Sequence, residues 1–267
     1  MSTTPSQTRR YAAGVAYDGS AFAGFQLQRG QRTVQGALEA ALGHVADRPV
    51  RVIGSGRTDS GVHAGGQVIH FDSDAERPDH AWLLGTNTQL DDDVALRWLR
   101  PVAADFHARF SAEGRRYRYR IVNQPTRPVL RRSTAAWVRD PLNAAAMHVA
   151  GQALVGEHDF SSFRAAACQA THPVRQINSL AVTRLGNDIA IVIEGNAFLH
   201  HMVRNITGAL LAVGRGECDA AWLVALLAAR DRTQGAATAH ARGLTLEAVR
   251  YGSRWNLPAV ATSGAAR

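Results

Sequence analysis

The amino-acid sequence predicts an α+β chain built of two comparable halves, each a mainly antiparallel sheet packed against helices. Three observations carry this. The first hundred residues read in the order strand, helix, strand, strand, helix, strand. The second half repeats that alternation of short apolar strands and amphipathic helices. The chain has 267 residues and 46% apolar content, enough to bury roughly 75% of its unfolded surface without a disulfide or metal staple.

The elements follow in order. Tyr11–Tyr17 reads as the opening strand. In Thr33–Ala46 the residues Val34, Leu38, Ala41, Leu42 and Val45 recur at helical spacing, with Thr33 as N-cap. Strands are expected at Val50–Gly54 and Gln67–Phe71, then a helix with Pro78 in its first turn, then a strand over Val94–Pro101. This β-α-β-β-α-β order is that of a ferredoxin-like half. Beyond it, Arg115–Val122 is a strand whose Tyr117 and Tyr119 share one face, because side chains alternate. A helix over Leu142–Leu154 precedes a hairpin of Val174–Arg184 and Ile189–Glu194 that turns at Gly186-Asn187-Asp188. An apolar helix, His200–Val213, is closed by Gly214. A further helix at Trp222–Leu227 and a strand at Thr245–Tyr251 complete the pattern. The boundary is placed near residues 103–112, giving domains 1–108 and 109–267, with disordered ends at about 1–8 and 260–267.

Charge and composition narrow the function. The formal charge is +8, which points to an anionic partner, nucleic acid first. All 30 basic residues are arginine. A chain without lysine has no Walker A lysine, no Schiff-base lysine and no lysine general base. Cys168 and Cys218 are too few for a disulfide framework and lack zinc-finger spacing, which suits a reduced cytoplasm. No apolar run approaches the ~20 residues of a membrane span, and the polar start lacks the apolar core of a signal peptide.

The run Gly56-Arg57-Thr58-Asp59-Ser60-Gly61-Val62-His63-Ala64 is the most specific feature. It is a polar, glycine-punctuated turn between two strands, and it presents Asp59 and Arg57 at its tip. Asp is common in turns for its own backbone hydrogen bonds, so the loop alone leaves a structural role open. Gly54-Ser55-Gly56 starts like a dinucleotide fingerprint, but Asp59 occupies the final glycine position and a strand follows, so that reading fails. A Ser60–His63–Asp59 hydrolase triad fails too, because the residues crowd one turn and no nucleophile elbow is present. His200 and His201 would point to different sides of a helix, poor geometry for joint metal ligation. Tyr117 serves either sheet packing or base stacking. Arg204, inside an apolar helix, calls for a partner to offset its desolvation.

Four blocks in order make the loop part of a larger pattern: Tyr17-Asp18-Gly19-Ser20-Ala21-Phe22-Ala23-Gly24-Phe25-Gln26; the aspartate loop; Phe106-His107-Ala108-Arg109-Phe110-Ser111 with Arg115–Ile121; and Asn196–Ile206 with Gly243-Leu244-Thr245-Leu246. Together they resemble the TruA family of tRNA pseudouridine synthases over nearly the whole chain. The resemblance implies an isomerase that converts uridines 38, 39 and 40 of the tRNA anticodon arm to pseudouridine, without metal or cofactor. It implies a cleft between the two halves, Asp59 as nucleophile, Arg204 paired with it, Tyr117 stacked on the uracil and Arg57 in the gap left by the flipped base. It also implies a cytoplasmic homodimer with tRNA as partner. The segment Gly235–Ala241 departs from the family by lacking prolines, which questions loop rigidity near Leu244. The rival is a basic RNA-binding protein without catalysis.

Overall fold

A computed structural model describes residues 8–258; the expectation for the two ends falls, apart from Thr8, outside the described residues. Among the described residues the chain is mixed α/β, with ten strands and five α-helices. The described residues divide into two compact units, one of 8–113 together with 246–258, the other Gly114–Thr245. The segment 246–258 therefore groups with the first unit, whereas the boundary expected from the sequence puts it in the second.

In the first unit, β1 (Arg9–Tyr17) lies between β3 (His63–Ser73) and β4 (Val94–Val102), antiparallel to both. The short β2 (Ile53–Gly54) pairs with β3. It is shorter than the expected Val50–Gly54 strand because the Val52 amide donates to Glu39 Oε1 at 2.9 Å instead of joining a ladder. Strand β3 starts earlier than Gln67, since Ala64 already pairs with Tyr17. On its other side lies β10 (Leu244–Tyr251). The backbones approach so closely there that a Cβ on Gly66 would come 2.1 Å from the Glu247 carbonyl oxygen.

Two helices cover this sheet. Helix α1 (Val34–Ala46) begins as predicted, with Thr33 Oγ1 accepting the Gly36 amide at 3.2 Å. Its apolar stripe, Val34, Leu38, Ala41, Leu42 and Ala46, is buried. In α2 (Asp79–Gln89), Pro78 is the residue before the first turn rather than within it. Trp82 of α2 is fully buried against Tyr11 and Phe71, at centroid distances of 5.6 and 5.3 Å. After β4 the chain folds back over the sheet, held by Arg10 to the carbonyls of Ala104 and Phe106 and by the Ala108 amide donating to His70 Nδ1 at 3.1 Å.

In the second unit the strand order is β5 (Ala112–Asn123), β9 (Asp188–Gly195), β8 (Val174–Leu185), β7 (Gly156–Asp159). The short β6 (Ala136–Val138) runs parallel to β5. The predicted hairpin is present, with Gly186 at φ +58° in its turn, a conformation glycine adopts without strain. Helices α3 (Ala144–Gly151), α4 (Met202–Gly214) and α5 (Ala220–Ala229) complete the unit. In α4 every residue except Arg204 is buried. Its start differs from the expectation: His201, at φ +62°, caps the helix from outside. Its end differs as well, because Gly214 is still helical. It packs so tightly that a Cβ would lie 2.7 Å from the Met147 sulfur, and the left-handed stop is Gly216.

Candidate active site

The aspartate loop is a strapped turn. Between β2 and β3 the chain leaves Ser55, whose amide donates to the Val68 carbonyl at 2.8 Å, and returns at His63. Gln67, fully buried in β3, anchors the turn from beneath. Its Nε2 donates to the Gly56 carbonyl at 2.8 Å, and its Oε1 accepts from the Ser55 hydroxyl at 2.5 Å. Tyr17 Oη lies 2.8 Å from Thr58 Oγ1, both buried. Burial pushes the Tyr17 phenol up to about 12, against its hydrogen bonds to Thr58 and Gln67, so it remains a neutral hydroxyl at any working pH.

The strap on the outside is the segment 18–25. The Phe25 amide donates to the Thr58 carbonyl at 3.0 Å, and the Ser60 hydroxyl donates to the Phe22 carbonyl at 3.2 Å. Gly24, at φ +97°, faces the turn directly: a Cβ there would meet Thr58 O at 2.9 Å and the Asp59 carbonyl carbon at 3.3 Å. The Gly19 amide donates to buried His63 Nδ1 at 3.1 Å. At Asp18, burial opposes ionisation, but hydrogen bonds from the Ser20 hydroxyl and amide and the nearby His63 outweigh it and hold the carboxyl below its ordinary range. Asp59 is half-buried on this scaffold, its carbonyl accepting the Val62 amide at 3.1 Å, while Arg57 is exposed. The loop brings these two predicted residues together, with their backbone fixed on both sides.

The other two lie in the second unit. Tyr117 is buried on β5, on the same face as Tyr119, and meets the Phe198 ring edge-on at 5.1 Å and 83°. Tyr119 Oη donates to the His240 carbonyl at 2.8 Å. Burial raises its phenol, although Arg204 and Arg242 pull the other way. Arg204, half-buried on the first turn of α4, donates from Nε to the Ala239 carbonyl at 2.9 Å. His200 and His201 precede the helix instead of standing on it, so their rings come to 4.1 Å of one another rather than diverging.

The segment 235–241 is tied down without proline. Arg232 donates to the Ala236 carbonyl and Thr238 Oγ1, and Thr238 donates to Asn205 Oδ1 at 2.7 Å. Gly208 of α4 lets the backbone lie flat on the helix, since a Cβ would sit 2.0 Å from the Ala237 oxygen. Sequence reasoning overlooked the supporting residues Tyr17, Thr58, Gln67, Asn205 and Arg232. Tyr17, Thr58 and Asn205 lie inside the four blocks and so carried a signal, whereas Gln67 and Arg232 lie outside them.

Comparison with known proteins places this scaffold. A family model described as tRNA pseudouridine synthase matches residues 13–111 and 150–252. The chain belongs to the tRNA pseudouridine synthase family. It is thereby an isomerase, of the class that rearranges uridine without gaining or losing an atom. Relatives named tRNA pseudouridine synthase A include one from Xanthomonas oryzae pv. oryzae, 53% identical over 255 residues covering 95% of this chain and 99% of the relative. Another, from Stenotrophomonas maltophilia, is 54% identical over 254 residues, with the same coverage of both chains. Arg57 and Asp59 fall in the first matched stretch and Arg204 in the second, while Tyr117 lies between them.

Proposed function

We propose that the chain converts uridine to pseudouridine at positions 38, 39 and 40 of the tRNA anticodon arm, with Asp59 as the nucleophile. What carries this reading is a half-buried carboxylate on a turn strapped from both sides, in a chain more than half identical to tRNA pseudouridine synthases A over almost its full length. A base within the anticodon arm must leave its stack to be reached. Asp59 then attacks the nucleoside, the N1–C1′ bond breaks, the base turns and C5–C1′ forms; the bond to Asp59 breaks as its carboxylate leaves, and the C5 proton passes to N1. Product and substrate are isomers, so the balance needs no oxidant, phosphate donor or metal.

In this reading the two units are ferredoxin-like halves with the active-site cleft between them. Arg204 pairs with the Asp59 carboxylate and keeps it ionised. Tyr117 stacks on the uracil, and Arg57 fills the space vacated by the flipped base. The +8 charge favours the phosphate backbone and makes binding salt-dependent. The enzyme works as a cytoplasmic homodimer. Pseudouridine mapping in tRNA from cells with and without the protein tests the assignment. Loss of pseudouridine at 38–40 alone is expected, restored by the wild-type chain. Unchanged modification at those positions would overturn it, and tRNA binding with no pseudouridine formed by the pure protein would favour the non-catalytic alternative.

A further inference from the structure

The loop from the turn Ser161–Phe163 into β8 carries two arginines outside the chemistry above, Arg164 and Arg175. Arg164 donates from one terminal nitrogen to the Cys168 carbonyl at 2.8 Å. Arg175 donates to the carbonyls of His172 and Val174 at 2.8 and 2.6 Å. These bonds go to neutral acceptors, and among the described residues neither guanidinium has a carboxylate partner. The Nε–H of Arg175 is buried and finds no acceptor at all.

This is a costly arrangement for the folded protein alone. Burial and the repulsion of Arg164 pull the Arg175 guanidinium below its ordinary range, only partly offset by the Cys168 sulfur. A guanidinium nevertheless stays charged in a protein, so its buried N–H lacks the anionic acceptor that would compensate it. The neighbouring thiol reports the same field: burial opposes its ionisation, yet the amides of Ala170 and His200 and the charge of Arg164 hold it below the usual thiol range. Two guanidiniums without a carboxylate partner and an orphan donor in one loop match the oxygens of a phosphate, which accept several charge-assisted hydrogen bonds at once.

We propose that Arg164 and Arg175 form a phosphate-binding site that holds one backbone phosphodiester of the RNA substrate. The site rests on the tRNA reading but takes no part in the isomerisation. Its test is tRNA binding measured across a salt series for the wild type, Arg164→Gln and Arg175→Gln. Each variant is expected to raise Kd roughly tenfold and to reduce the salt slope by about one. A variant that folds, as judged by circular dichroism, and binds with unchanged Kd and slope overturns the site. If instead the wild type neither binds tRNA nor forms pseudouridine, it is the reading of function that fails.

A second measurement uses the unmodified chain, so it survives any folding defect. Alkylation by iodoacetamide is followed at Cys168 and Cys218 by mass spectrometry. Saturating tRNA is expected to slow reaction at Cys168 severalfold and to leave Cys218 alone. Equal rates at Cys168 with and without tRNA overturn the proposal. Equal protection by inorganic phosphate alone overturns the assignment to an RNA phosphodiester.

Discussion

Arg204 and Ala239 exchange two hydrogen bonds: the Ala239 amide donates to the Arg204 carbonyl at 3.1 Å, and Arg204 Nε donates back to the Ala239 carbonyl at 2.9 Å. One residue thus fixes the segment 235–241 to α4 through both its backbone and its side chain. A half-buried helical arginine calls for a partner, and a backbone carbonyl supplies part of the answer.

Arg204→Ala is expected to weaken the fold as well as the reaction. Losing a hydrogen bond from a charged donor costs about 1.5–3 kcal/mol, visible as a lower denaturant midpoint. Arg204→Lys keeps the charge but lacks Nε, and it should recover activity less well than a charge-only role requires. An unchanged midpoint for the Ala variant would show that the Ala239 contact does not stabilise the segment.

Asp59→Asn should abolish pseudouridine formation while leaving tRNA affinity close to wild type, because the amide keeps shape and hydrogen bonding but is no nucleophile. Residual turnover within about tenfold, equivalent to ~1.4 kcal/mol of barrier, would remove Asp59 from that role.

Gly24→Ala tests whether the strap holds the loop in its working geometry. The added Cβ meets Thr58 O at 2.9 Å and φ is +97°, so loop and strap must move apart. Misplacing a reacting group by about 1 Å can cost on the order of a hundredfold. Turnover should fall by at least about tenfold with tRNA Kd little changed. Equal losses in kcat and in affinity would mean that the strap serves binding.

Tyr117→Phe keeps the ring and its edge contact with Phe198, whereas Tyr117→Ala removes both. Base–aromatic stacking is worth roughly 1–3 kcal/mol, so the Ala variant should lose at least about tenfold in turnover. A Phe variant as inactive as Ala, with its fold intact, would assign chemistry to the hydroxyl. An Ala variant with full activity would refute the platform.

His70 makes stability pH-dependent. Burial, then the charges of His107 and Arg10, lower its imidazole from 6.5 to about 4, against a small opposing pull from Asp72. Between those values the unfolded chain binds a proton that the native chain does not. Stability from this group is therefore complete above about pH 6.5 and is lost as pH falls toward 4. His107, also lowered by burial and by Arg10 and Arg109, acts in the same direction. Denaturant unfolding from pH 7 to 5 should show a smaller loss of stability for His70→Gln than for the wild type. Parallel curves would show that His70 does not carry the effect.

Much of the fold was legible because local physics decides it. The Thr33 cap, the period of α1, the alternation along β4 and β5, and the glycine turn of the β8–β9 hairpin are each written within a dozen residues. The misses share a cause. The start of the expected 50–54 strand was lost to a side chain, Glu39, that takes the Val52 amide. The start of α4 was misplaced because His201 adopts a left-handed conformation that residue type does not announce. Gly214 reads as a helix stop in sequence, yet it is a packing residue against Met147.

By itself the sequence determined the membership of the family and singled out Asp59, with Arg57 beside it, as the candidate carboxylate, because residue type and spacing carry that information directly. Only the tertiary structure decided what holds that carboxylate in place. The buried amide of Gln67, the Tyr17–Thr58 hydroxyl pair and the backbone of Gly24 converge on one turn from three separate stretches of chain. Hydrogen bonds and close contacts between distant segments depend on which surfaces the folded chain brings together, and no local pattern encodes that. The same holds for Arg164 and Arg175: each is one arginine among 30 in the sequence, and the buried, unsatisfied N–H that sets Arg175 apart exists only in the folded chain.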